Sequence, residues 1–384
     1  MPHGRTACES ALQPGRSRAV ARRRTRLRSM LIGSAMTLFG AMVTHASAEP
    51  IWGRQYAYAV RQDLEQGTDF IVRVNVTSGV IEQKIGGIAS TMQYVAASTA
   101  AQKVFFTEQS TGNLVCLDIH TQTLIRVYVG TNPHGVAVSP DGARVYVALR
   151  GEDAIAVLET ANLTAGPLRK VLVGSNPIGV AVNPQGTLVY VANVLGNSVS
   201  AVDVRVDPPD VYTTSLVSPI HPDPHPIGVA IASDGHTAYV SLRNANFVSV
   251  LSLSAAQPVL VNDLATWPGP FGISVNPQAP YAYAVSPAGA RLMYLKLDSS
   301  PISIPTAPET GINSNPYGVA VDDTGNRVLV STEGLPADGG AGRLIAYEAI
   351  TGQPQWSLRL GYGRALVGNF VLEDRDSIFG NNFE

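Results

Sequence analysis

Asn132-Pro133-His134-Gly135-Val136-Ala137-Val138-Ser139-Pro140-Asp141-Gly142-Ala143-Arg144-Val145-Tyr146-Val147-Ala148 returns as Asn176-Pro177-Ile178-Gly179-Val180-Ala181-Val182-Asn183-Pro184-Gln185-Gly186-Thr187-Leu188-Val189-Tyr190-Val191-Ala192. Looser copies start at Pro226-Ile227-Gly228, Pro270-Phe271-Gly272 and Pro316-Tyr317-Gly318, so the five prolines stand 44, 49, 44 and 46 positions apart. A period of that length with strand-like content marks propeller blades. In the copy at Pro133, Val136-Ala137-Val138 predicts a first strand. Ser139-Pro140-Asp141-Gly142 predicts a tight turn, with Pro second and Gly last as a type I turn prefers. Residues 144–148, 154–158 and 170–173 predict the second, third and fourth strands. The Val-Ala-Val runs lack strict alternation, as expected where both faces are covered, and the central Ala leaves room near an axis. Asn276-Pro277-Gln278-Ala279 lacks the turn Gly and predicts a looser hairpin.

Two weaker copies come first. Tyr94-Val95-Ala96-Ala97 leads to Lys103-Val104-Phe105-Phe106 with the same strand-to-strand spacing. Earlier still, Tyr56-Ala57-Tyr58-Ala59-Val60 matches Tyr281-Ala282-Tyr283-Ala284-Val285, a second strand, with outer strands expected over 70–76 and 80–85. This first block lacks an innermost strand. The run 364–372 is strand-like, has no block of its own, and is expected to supply that strand beside 56–60. The fold class expected is therefore all-β: a seven-bladed β-propeller of four-stranded antiparallel blades over 49–372, closed by the C-terminal strand joining the first blade. A closed ring leaves only short, protected sheet edges.

The N-terminus reads as a secretory leader over 1–48. Eight arginines end at Arg28, an apolar run covers 30–43, and Ala46-Ser47-Ala48 offers a small-residue cleavage site. Met30 is an alternative start, and Arg22-Arg23 raises twin-arginine export without its fuller consensus. The apolar run is too short for a stable membrane span, so periplasmic or secreted localisation after cleavage near Ala48 is expected, without membrane insertion. From residue 49 on, 19 basic and 28 acidic residues remain, a net charge of −9. An acidic body cannot displace phosphate counterions, which argues against nucleic acid as a partner. Cys116 is the body's single cysteine and lies in a strand-like run, where it reads as core. The tail 373–384 ends Ile378-Phe379-Gly380-Asn381-Asn382-Phe383-Glu384 and resembles short closing segments of exported Gram-negative proteins, with Asn382 in place of a Gly.

Pro-x-Gly-Val-Ala-Val-x-Pro-x-Gly followed by Val-Tyr-Val-Ala-Asn resembles the YVTN β-propeller repeat. Val189-Tyr190-Val191-Ala192-Asn193 and Asn197-Ser198-Val199-Ser200-Ala201-Val202-Asp203 carry it best. The resemblance extends over 55–372. It implies an exported seven-bladed propeller among surface-layer and envelope proteins, lactonase-like propellers and haem d1-binding domains. It does not choose among their functions.

Propeller ligands gather at the axial mouth, lined by the fourth-to-first and second-to-third loops. The first set would contribute His134, Ile178, Ile227, Phe271 and Tyr317. The second would contribute Glu108, Arg150, Glu152, Asp153, Asn193, Asn197, Arg243, Asn244, Arg291 and Glu333. An apolar ring edged by Arg150, Asn193, Arg243 and Arg291 could hold a small anionic or sugar-like ligand. A packed ring under a solvated charged rim is the plainer alternative. His134 stands where the other clear copies are apolar or aromatic, as a general base would. His221, Asp223 and His225 are metal-ligand types, but Pro at every second position makes that stretch a rigid connector rather than a converging site. No cofactor motif is present: covalent haem is excluded by the missing Cys-x-x-Cys-His, and no Gly-x-Ser-x-Gly elbow occurs. The expectation is a monomeric module of the bacterial envelope that binds a small molecule or an envelope protein and is not an enzyme. The alternative is a lactonase-like hydrolase with its site at the axial mouth, and a second alternative is a haem d1-type domain.

Overall fold

Each Pro-x-Gly copy opens a blade. Blade three runs Pro133–Val138, Arg144–Leu149, Ala154–Glu159 and Arg169–Leu172, hydrogen-bonded in that order from the axis outward. The computed structural model describes residues 54–62, 69–88, 92–298, 315–334, 341–361 and 366–374. The expectations for 1–48 and for the tail beyond 374 lie outside the described residues.

Blade four is Pro177–Val182, Leu188–Asn193, Ser198–Asp203 and Asp210–Ser215. Blade five is Pro226–Ile231, Thr237–Leu242, Phe247–Ser252 and Val259–Ala265. Blade seven is Asn315–Val321, Arg327–Glu333, Gly342–Glu348 and Pro354–Gly361, and blade two is built on Met92–Ser98, Lys103–Glu108, Asn113–Asp118 and Leu124–Tyr128. Blade six has Ile273–Val275, Tyr281–Ser286 and Arg291–Lys296 among the described residues, its inner strand cut to three residues beside the hairpin that lacks Gly. Elsewhere the turn Gly earns its place. Gly142 sits at φ +73°, and a Cβ there would stand 2.6 Å from the Ala101 nitrogen of the preceding blade.

Blade one confirms the clasp and shifts its register. Val371–Asp374 pairs antiparallel with Arg54–Gln62, from Arg54 opposite Asp374 to Ala57 opposite Val371, and Tyr58 N donates to the Phe370 carbonyl at 2.9 Å. Residues 367–369 do not join Tyr56–Val60 as expected. They pair in parallel with Met92–Ser98 of blade two, from Val367 opposite Tyr94 to Asn369 opposite Ala96. Among the described residues the last strand of the propeller runs to Asp374. The outer strands of this blade are Asp69–Asn75 and Ile81–Ile88.

The core lies between blades rather than within a single layer. Tyr56, Tyr58, Tyr146, Tyr190 and Tyr283 are among the largest fully buried side chains, each in the second strand of its blade. Burial of one such ring is worth about 2–3 kcal/mol. Cys116 is buried and burial raises its pKa to about 12, as expected of a core thiol. Among the described residues no helix is long and apolar enough to cross a membrane.

Candidate functional site

One backbone device, repeated from blade to blade, builds the mouth. In blades three, four and five the residue before the Pro is left-handed: Asn132 (φ 54°), Asn176 (φ 59°) and His225 (φ 49°). Its carbonyl accepts from the second-to-third loop of the same blade: Arg150 N to Asn132 O at 3.1 Å, Val194 N to Asn176 O at 3.0 Å, Arg243 N to His225 O at 3.1 Å. Arg150 and Arg243 therefore occupy the same step of their blades. A left-handed Asx in that loop then accepts from the next blade: Asn176 N donates to Asp153 Oδ1 at 2.8 Å, His225 N to Asn197 Oδ1 at 3.0 Å, and Gly269 N to Asn246 Oδ1 at 3.0 Å. Asp153 and Asn197, expected at the rim for ligand, are thus spent on holding blades together.

The variable residues of Pro-x-Gly do meet at the axis. Ile178, Ile227 and Phe271 are buried in one cluster together with Tyr94 and Val367, and Tyr317 packs against it. Phe271 and Tyr317 meet edge to face with centroids 5.1 Å apart. Behind this cluster lies a chamber of about 50 Å³, bounded by the repeat glycines. A funnel of about 550 Å³, lined by the Val-Ala-Val strands, opens at the opposite face. Tyr94 and Val367 were absent from the sequence-derived ring because their blades lack the Pro-x-Gly signature.

His134 is 4% exposed, stacked on Tyr94 with centroids 5.2 Å apart. Its carbonyl accepts from Thr107 Oγ1 at 2.7 Å. Nε2 lies 3.3 Å from Arg150 Nη1, and Nδ1 lies 2.7 Å from the side-chain amide of Gln109. A guanidinium only donates, so Nε2 accepts and the proton of the neutral ring is assigned to Nδ1; the Gln109 amide, whose nitrogen stands 2.7 Å from Nδ1, accepts that proton only when turned to present its oxygen. Burial first, and the Arg150 charge second, push the His134 pKa down to about 4. Arg150 Nε also donates to Asn176 Oδ1 at 2.9 Å, which fixes the guanidinium in place. Arg243 is exposed, and its charge, like that of Arg150, favours ionisation of Tyr94 against the larger effect of burial. At Tyr317, burial and then the Glu333 charge raise the phenol pKa, and Arg243 opposes them. His134, Arg150, Arg243, Phe271, Tyr317 and Glu333 are therefore brought together, with Tyr94 and Gln109 as additions.

Other candidates fall elsewhere. Asn193 is wholly buried inside blade four, donating to Ser198 Oγ at 3.1 Å and Ser200 Oγ at 2.9 Å, so it faces no ligand. Arg291 lies over the Trp267 ring, 4.4 Å from its centroid. Glu108 is buried and takes Arg126 Nε at 3.3 Å. His221 and His225 do not converge. His221 Nε2 bonds Asp263 Oδ2 at 2.8 Å, while His225 sits between Asp223 Oδ1 at 3.2 Å and Asn244 Nδ2 at 2.8 Å.

A seven-bladed ring whose axial mouth carries a neutral imidazole beside Arg150 defines a class of propeller with a polar axial site. The family model "Lactonase, 7-bladed beta-propeller" matches residues 98–210 and 130–311, more than half of the chain, which belongs to that family. No curated protein matches the sequence. Among solved structures it is similar to the periplasmic gluconolactonase of Pseudomonas aeruginosa (15% identity, 81% of this chain and 98% of that one, TM-score 0.64). It is also similar to a protein from Lactobacillus plantarum (14% identity, 84% of this chain and 100% of that one, TM-score 0.65). Hydrazine synthase of Kuenenia stuttgartiensis is similar over 70% of this chain and 80% of its own, at 18% identity and TM-score 0.56. At these identities the likenesses show the fold alone. Family membership overturns the expectation of a non-enzymatic binding module and favours the hydrolase alternative.

Proposed function

We propose that the chain hydrolyses a lactone at the axial mouth, with His134 as the base. Ring-opening of a lactone needs a group to take a proton from the attacking water and donors for the carbonyl oxygen as it becomes negative. His134 is neutral well below pH 7, and the tautomer assigned above puts the ring's electron pair on Nε2, facing Arg150 Nη1 at 3.3 Å. Water bonds to the carbonyl carbon as Nε2 takes its proton. The ring C–O bond then breaks, and the imidazolium returns the proton to the departing oxygen. Arg150, held by Asn176, is placed to donate to the developing oxyanion. The observation that carries this reading is the buried, neutral His134 facing Arg150 at the mouth of a chain in the lactonase family. The YVTN-type repeats and the Arg-rich leader support a setting in the periplasm or outside the cell. The test is turnover of a panel of five- and six-membered lactones, followed by pH-stat. His134→Gln should lower kcat/KM by about 10²–10⁴ with the fold intact. Turnover unchanged in that variant would remove His134 from the chemistry.

A further inference from the structure

The funnel at the face opposite the mouth is a second site built by the repeat itself. Its volume of about 550 Å³ falls in the range of ligand-binding cavities. It shares Val136, Val180, Val229, Ile273, Val319 and Gly368 with the small chamber behind the mouth, so it narrows into that chamber. Val138, Val182, Ile231 and Val275 line its wall and are only half-buried, which leaves apolar surface in water. Asp323 is the one charged residue among the described lining, so the wall suits a neutral, apolar occupant. In blades three to seven the innermost strand also ends its sheet and turns a backbone edge to the axis.

The C-terminal end of the chain leaves the propeller at this funnel. Asn369 and Val371 line it. Beyond them Glu373 N donates to Thr99 Oγ1 at 3.1 Å, and the Glu373 carbonyl accepts from Gln102 Nε2 at 2.9 Å. Thr99 lines the funnel as well, so the last strand reaches Asp374 at its edge. The sequence continues Arg375-Asp376-Ser377-Ile378-Phe379-Gly380-Asn381-Asn382-Phe383-Glu384, uncharged from Ser377 to Phe383 and carrying three large apolar side chains. Four to five residues span at most about 13–18 Å, which lets Ile378 and Phe379 reach the wall from Asp374.

We propose that residues 377–383 dock in this funnel, with Ile378 and Phe379 against the Val-Ala-Val strands, as a ligand that the chain supplies to itself. Seating those two side chains removes apolar surface from water on the segment and on the wall together. The amides of Asn381 and Asn382, and the segment's own backbone, offer donors and acceptors to the inner-strand edges. The segment continues directly from the strand that closes blade one, so docking adds contacts to further blades where the chain ends meet. The inference is independent of the lactone reading, since the funnel lies on the other face from His134.

The test is fluorine-19 NMR of the full chain labelled with para-fluorophenylalanine, with Phe379 and Phe383 assigned through Phe379→Leu and Phe383→Leu. A synthetic peptide of residues 375–384, labelled in the same way, gives the free signal position and the full solvent isotope shift between water and deuterium oxide. In the wild type Phe379 should stand away from the peptide's position and lose that isotope shift. Ser274→Asp places a charge at a half-buried point of the funnel wall and should return Phe379 to the peptide's position. Ile378→Asp, outside the blades, should release Phe379 likewise, whatever Ser274→Asp does to the fold. A wild-type signal at the peptide's position overturns the docking. So does a buried signal that neither substitution moves, which would seat Phe379 elsewhere. A buried signal that grows with protein concentration overturns it too, by giving the funnel to the segment of a second copy.

Discussion

The carbonyl oxygen of Ile227, in blade five, fills the space that a Cβ on Gly179, in blade four, would need. The same relationship links Gly135 to Ile178, Gly228 to Phe271, Gly272 to Tyr317 and Gly318 to Leu366. Each inner strand therefore approaches the axis only as closely as a bare Cα allows, and the ring diameter is set by glycine. Gly179→Ala forces backbone against backbone, which no rotamer change can relieve. We expect a loss of about 2–4 kcal/mol, read as a lower denaturant midpoint with an unchanged m-value. A change below 0.5 kcal/mol would show that the ring opens at no cost.

Asn193 separates a structural from a binding role. Its amide is wholly buried and donates to Ser198 and Ser200 beside Gly174, where a Cβ would stand 2.5 Å from the amide nitrogen. Asn193→Ala strips two buried hydroxyls of a donor and should cost about 1–3 kcal/mol. KM for any lactone that the wild type turns over should stay within twofold. A KM raised tenfold with stability intact would return Asn193 to the ligand.

His134 also sets an acid limit on the fold. Its pKa is about 4 in the folded chain against an ordinary 6.5, so between these values the unfolded chain binds the extra proton. Stability from this group is complete above pH 6.5 and is lost as the pH falls toward 4, by a total of about 3 kcal/mol. Urea midpoints at pH 7.5 and 4.5 should therefore differ less in His134→Gln than in the wild type. Equal acid sensitivity in both would place the responsible group elsewhere.

The fold was legible because the repeat writes its own turn chemistry. Ser139-Pro140-Asp141-Gly142 and its copies mark the first hairpins of blades three, four, five and seven, and the unmatched second strand at Tyr56 calls for a partner from the other chain end. The site was legible only in part. His134 stands out against Ile178, Ile227, Phe271 and Tyr317, but nothing in the local sequence says that Tyr94 stacks on it or that Gln109 reaches Nδ1, since both belong to a blade without Pro-x-Gly. Asn193 misled for the opposite reason. It belongs to a repeated loop motif, yet the strand carries its side chain into the blade rather than toward the axis.

Closure of the ring depends on Phe370, which is 1% exposed and belongs to the same apolar cluster as Tyr56, Tyr58 and Met92. Its carbonyl accepts from Tyr58 N, and on either side of it the chain changes partner, from blade two at Val367–Asn369 to blade one at Val371–Asp374. Phe370 thus anchors the switch between two sheets together with Leu366, Val371 and Leu372 of the same cluster. Phe370→Ala keeps every backbone hydrogen bond and removes only the packing, at about 3–5 kcal/mol. Because the lost contacts join chain ends some 310 residues apart, counting from Tyr58 to Phe370, they are expected to form late in folding. Stopped-flow chevrons should therefore show faster unfolding with a nearly unchanged folding rate. A slowed folding limb with unfolding untouched would mean that the ends meet first and the blades assemble between them.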